Sequence, residues 1–222
     1  MVLLRLPLLR VMRNLRAWGA LVAIALATLA FAWLARTSQF GSVDDMLRSA
    51  LGGLAVPLAS FAVAAASVGG NHLRTATAPL VSFGASPVRA AWATVAVAVL
   101  ASATVGLLLA AGALTMTGAR YGAPTVLGAV VLGGASYGAL FSAGAAFGPR
   151  GVGRSVVLVL DWAVGSTSGV FALMTPRAHL RNLLAGAAPL DVGPWESVGM
   201  LLGLALVFVL VAVFRGRRGC PG

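Results

Sequence analysis

Six apolar stretches, each 18 to 27 residues long, occupy most of this 222-residue chain. A bilayer core about 30 Å thick is crossed by roughly 20 helical residues at about 1.5 Å rise each. The stretches lie at 17–35, 51–69, 90–116, 124–147, 155–173 and 197–214. In hydrocarbon a segment must pair its own backbone N–H and C=O groups, so each is expected to be a membrane-crossing helix. The expected fold is an all-α integral membrane protein with six transmembrane helices, one membrane domain over 1–222. The longest connections, 70–89 and 174–196, run about 20 residues and are too short to form a separate domain.

Charge sets the next limits. Only 9% of residues are charged, against about 25% in soluble domains. All 16 basic residues are Arg, which excludes the nucleotide-binding pattern G-x-x-x-x-G-K-[ST], since its Lys contacts the phosphates. A net charge of +11 would point to nucleic acid in a soluble protein. Here the Arg residues flank apolar stretches, so the lipid bilayer is the expected partner and nucleic acid is not. Arg in place of Lys, with abundant Ala and Gly, fits a GC-rich bacterial genome, and the expected localisation of such a multi-pass helical chain is the bacterial inner membrane.

The Arg residues are also shared unevenly. The side carrying both termini and the second and fourth loops takes 11 of them: Arg5, Arg10, Arg13, Arg16, Arg74, Arg89, Arg150, Arg154, Arg215, Arg217 and Arg218. The other side takes Arg36, Arg48, Arg120, Arg177 and Arg181, together with the acidic Asp44, Asp45, Asp191 and Glu196. Basic loops stay in the cytoplasm, so both termini are expected there. The first apolar run exceeds the 7–15 residues of a signal-peptide core, and a retained helix is expected. Before it, Arg10, Arg13 and Arg16 recur every third residue while Leu8, Val11 and Leu15 keep a 3,4 spacing. This separates a basic from an apolar stripe and predicts an interfacial amphipathic helix.

Segment 71–89 mixes Leu73, Leu80, Val81 and Phe83 with Arg74 and Arg89. Pro79 and Pro87 prevent one long helix, so a short helix between breaks is expected. A cytoplasmic connection this apolar reads as a docking surface, with Arg74, Leu80, Phe83 and Arg89 as its contact residues. After the fifth stretch, Thr175 and Pro176 read as N-cap and first residue of a short helix over 176–186.

Asp161 is the ionisable residue well inside an apolar stretch, where a lone carboxylate is costly. Arg154 precedes it by seven residues, two turns away on the same helix face, and is its expected partner. No metal cluster is expected, because His72 and His179 fall on opposite sides of the bilayer and Cys220 stands alone in the tail. Glycines four apart (Gly134 with Gly138, Gly144 with Gly148, Gly165 with Gly169, Gly199 with Gly203) let helices approach closely in lipid. They point to a compact bundle.

Ala78-Pro79-Leu80-Val81-Ser82-Phe83-Gly84-Ala85-Ser86-Pro87-Val88-Arg89 resembles the cytoplasmic segment between spans two and three of type-2 ABC exporter permeases. The stretch from Leu173 to Leu183, with Pro176 inside it, is similar to that family's external segment. With six spans and an interfacial first helix, the resemblance covers nearly the whole chain. It implies a transport subunit with no catalytic residues and no bound cofactor. The path would form from a homodimer or from this chain with a second permease subunit. ATP would be hydrolysed on a separate ABC ATPase docked at 71–89. Two other classes compete. One is a rhomboid-like intramembrane serine protease, since Gly134-Ala135-Ser136-Tyr137-Gly138 is similar to the rhomboid nucleophile stretch and His179 supplies a base. Tyr137 replaces the Gly expected after the serine, and His179 lies outside a span. The other is a membrane assembly protein without transport.

Overall fold

The computed structural model describes residues 2–37, 45, 49–70, 72–118, 122–186 and 188–217. Asp44, Arg48, Asn71, Arg120, Arg218 and Cys220, which entered the topology and docking expectations, lie outside the described residues. The described chain is helical throughout, with no strand among the described residues. Its α-helices are α1 (Val2–Arg13), α2 (Leu15–Thr37), α3 (Val56–Ser67), α4 (Leu73–Ser82), α5 (Pro87–Thr117), α6 (Ala123–Gly144), α7 (Gly153–Val164), α8 (Pro176–Leu183) and α9 (Pro194–Arg217).

Among the described residues four helices are long and apolar enough to cross a bilayer: α2, α5, α6 and α9. At 22 residues and about 1.5 Å rise, α6 measures roughly 33 Å, and α5 at 31 residues roughly 46 Å. The protein is therefore a helical, multi-pass type of chain with four candidate spans, and two of the six expected stretches differ from expectation. The stretch at 51–69 forms a continuous apolar helix over Leu51–Ser67 whose first turn, Leu51–Ala55, is π-helical. Pro57 has no N–H to give the Gly53 carbonyl, and a wide turn accommodates its ring. The stretch at 155–173 is not one helix. α7 stops at Val164, and a 3₁₀ segment over Val170–Met174 follows a turn. The cause is local: Gly165 and Gly169 flank three hydroxyl residues. Ser166 Oγ donates to the Trp162 carbonyl at 2.9 Å and Thr167 Oγ1 to the Val164 carbonyl at 2.7 Å, satisfying two of the last helical acceptors.

α6 is the central element, packed against α5, α9, α3 and α7. Its contact with α5 depends on missing side chains. A Cβ at Gly134 would lie 2.8 Å from the Ser102 carbonyl oxygen, and one at Gly138 2.8 Å from that of Ala98. The two backbones thus touch along one Gly-x-x-x-Gly face. Tyr137 and Phe141, both fully buried, stack with centroids 5.7 Å apart, and Phe61 of α3 meets Phe141 edge-on at 5.3 Å. Gly199 and Gly203 of α9 have nothing within 4 Å of their Cβ positions and form no such contact.

α1 carries an exposed stripe of Leu4, Leu8, Met12 and, at the start of α2, Leu15. Its buried Val11 joins Ala17, Ala66 and Val97 in a small cluster against α3 and α5. Asn14 separates it from α2 and caps the second helix, accepting from the Ala17 N–H at 3.1 Å. This geometry suits a helix lying along the membrane surface.

Candidate functional site: a bonded helical platform and a buried polar centre

α4 begins where His72, in extended conformation, turns its Nδ1 to accept from the Arg74 N–H at 3.1 Å. Burial and the neighbouring Arg74 hold the His72 pKa below its ordinary value, favouring the neutral ring that this cap requires. The Leu73 N–H donates to the Ala145 carbonyl, just past the end of α6, at 3.0 Å. Arg74 Nε donates to the Arg215 carbonyl near the end of α9 at 3.1 Å. Arg10 Nη1 of α1 donates to the Ala76 carbonyl at 2.7 Å. One short helix is therefore tied to α6, α9 and α1.

The free end of α4 is different. The Ala85 N–H bonds back to the Leu80 carbonyl at 3.1 Å, and Gly84 takes φ +88°, the left-handed geometry that closes a helix. Phe83 is left 88% exposed, and Arg89 is exposed at the start of α5, whose cap is Ser86. Of the four expected docking residues, Phe83 and Arg89 are on the surface and Arg74 is half-buried in its bond to α9. Leu80 is corrected: only 6% exposed, it is turned into the bundle and braces α4. On a ten-residue helix the apolar positions divide between a packed face and a tip, and composition does not say which is which.

The second constellation centres on Asp161, 3% exposed near the end of α7. Its expected partner was Arg154. Instead the Tyr137 hydroxyl donates to Asp161 Oδ2 at 2.8 Å and the Arg177 backbone N–H to Oδ1 at 3.2 Å. Gly165 permits this: a Cβ there would lie 2.7 Å from Arg177 Cβ, so α8 could not approach the end of α7. Arg154 stays near the start of α7, 6% exposed, with Nε donating to the Gly151 carbonyl at 3.3 Å. No ion pair joins the two.

α8 is fixed to α9 by a third cluster that the sequence reading missed. His179 Nε2 lies 2.9 Å from the Leu173 carbonyl, which can only accept, so this nitrogen carries the proton. Nδ1 then accepts from the Ser197 hydroxyl at 3.2 Å, and Asn182 Nδ2 donates to Ser197 Oγ at 2.8 Å and to the Val192 carbonyl at 2.7 Å. His179 and Ser197 are wholly buried. Ser136 Oγ meanwhile donates to the Leu201 carbonyl at 2.9 Å. The Ser136–His179 pairing that proteolysis would need is not made, because each group is committed to another partner. Thr175 precedes α8 as expected, but its hydroxyl donates backward to the Ala172 carbonyl at 2.8 Å instead of capping the helix.

Compared with protein-family descriptions, curated proteins and solved structures, the chain matches none of them.

Proposed function

We propose that the chain is the membrane-spanning subunit of an ATP-driven ABC exporter in a bacterial inner membrane. It crosses six times with both ends in the cytoplasm, and a second copy or a second permease completes the path. In this reading the second crossing is Leu51–Ser67, and the fifth is built from α7 and the turn and 3₁₀ segment that follow it. The observation that carries the proposal is the construction of α4. Its body is hydrogen-bonded to α1, α6 and α9, while its tip presents Phe83 to solvent beside Arg89.

Such a helix converts a push at its tip into a common displacement of three bundle elements. A partner that closes on nucleotide binding would bias the bundle between two arrangements through it. The aromatic supplies an anchor for a pocket on that partner, and Arg89 supplies charge at the rim. ATP binding and hydrolysis belong to the separate ATPase subunit; this chain contributes the docking surface and the path.

The test is affinity purification of the tagged chain from its native membrane in mild detergent. A nucleotide-binding subunit should co-purify, and Phe83→Asp and Arg89→Glu should each reduce its recovery while the chain still inserts. Intact chain recovered with no nucleotide-binding partner would overturn the reading.

A further inference from the structure

We propose that a cavity beside α8 binds a phosphate-type oxyanion through Arg177 and Arg181. The cavity measures about 460 Å³ and lies between the first π-helical turn, the end of α7 and α8. Its described lining includes both arginines, Ser49, Ser166, Gly53 and Asp45. The two arginines are four apart on α8 and so share one face.

The argument rests on what these guanidinium groups lack. Arg177 Nε and Nη1 are buried without a hydrogen-bond partner among the described residues. Asp161 is close, but it meets the backbone N–H of Arg177, not the side chain, and its other oxygen is taken by Tyr137. The Arg177 guanidinium instead sits 5.4 Å over the Trp162 ring. Among the described residues Arg181 reaches only the Gly165 and Ser166 carbonyls, at 3.4 and 3.3 Å, neutral acceptors at the long end of hydrogen bonding. Two guanidinium groups against the single carboxylate of Asp45 leave the described lining cationic.

Buried guanidinium nitrogens without an acceptor are costly, and an anion is the natural complement. Forked guanidinium groups match the tetrahedral oxygens of phosphate, which can take several N–H bonds at once. The same chemistry is carried by free phosphate and by a phospholipid headgroup.

Trp162 supplies the reporter, because a ligand at Arg177 changes the field over its ring. The full chain, purified in a neutral maltoside detergent, is titrated with sodium phosphate against sodium chloride at equal ionic strength. In a second arm it is placed in phosphatidylcholine vesicles with increasing phosphatidylglycerol. Emission that changes saturably with phosphate identifies a free-oxyanion site; a change with phosphatidylglycerol alone identifies a headgroup site. Either supports the proposal if Trp162→Phe removes the signal and Arg177→Gln weakens the apparent affinity about tenfold. Should Arg177→Gln fail to fold, Arg177→Lys keeps the charge, loses the fork and must still bind measurably more weakly. No saturable change in either arm, or an unchanged affinity in the folded variant, overturns the site.

Discussion

The α5–α6 contact and the α7–α8 region are both buried, but by opposite means. α5 and α6 approach through the absence of side chains at Gly134 and Gly138, and no polar side-chain bond joins them among the described residues. α7 meets α6 and α8 through Asp161, which bonds Tyr137 and the Arg177 N–H, and α8 is held to α9 by the His179–Ser197–Asn182 cluster. In lipid the hydrophobic effect does not distinguish helix from lipid tail, so close packing and polar bonds do the work. The first device yields a long uninterrupted helix pair. The second holds short helices and turns, whose unpaired backbone ends need polar partners.

Overpacking should break the first region most severely. Gly138→Leu drives a side chain into the Ala98 and Val99 backbone and is expected to cost about 3 kcal/mol or more. The readout is the unfolding midpoint in detergent, with Gly199→Leu as control, since open space should hold its change within about 0.5 kcal/mol. Equal effects at the two glycines would mean that α5 and α6 do not cross where described.

Next in size is Tyr137→Phe, which preserves the stacking on Phe141 and deprives Asp161 of its side-chain donor. The expected loss is about 2 kcal/mol by the same measurement, and an unchanged midpoint would remove Asp161 from the polar centre. Ser197→Ala should cost less, about 1 kcal/mol, because His179 keeps Leu173 and Asn182 keeps Val192. Faster hydrogen exchange confined to α8 and the start of α9 would sharpen the contrast; exchange spread evenly over α5 and α6 would erase it.

The smallest effect is a pH dependence at the platform. The His72 pKa lies below its ordinary 6.5, so the folded state binds fewer protons than the unfolded one. Stability of α4 is therefore complete above about pH 6.5 and declines as pH falls from there toward the lowered folded value. Amide exchange over 73–82 should quicken at pH 5 relative to pH 8, and His72→Asn, a cap that does not titrate, should flatten the profile. A profile unchanged in His72→Asn would assign the titration elsewhere.

Long apolar runs were legible. α2, α5, α6 and α9 match the stretches at 17–35, 90–116, 124–147 and 197–214 to within a few residues, because length and hydropathy suffice when nothing interrupts the run. The fifth stretch was not, although its breaker stands in plain view: Gly165, Ser166, Thr167, Ser168 and Gly169 offer the backbone local partners that a hydropathy window ignores. Segment 71–89 does hold a short helix, but Pro79 lies inside α4 and does not break it, and of the two apolar residues expected on its surface Leu80 is buried and Phe83 alone is exposed. For Asp161 the sequence offered Arg154 at helical spacing. The actual donor, Tyr137, is 24 residues away on another helix, a proximity set by the α6–α7 contact alone.

Site-directed labelling of the α4 tip and the start of α9 tests the topology most directly. In a Cys220→Ala background, Phe83→Cys and Trp195→Cys place single thiols at two exposed positions, 88% and 86% accessible. With a membrane-impermeant maleimide on intact spheroplasts, the Trp195 site should label at once and the Phe83 site only after permeabilisation. Labelling of both from the same side would contradict the proposed six-crossing arrangement and the proposed cytoplasmic placement of α4.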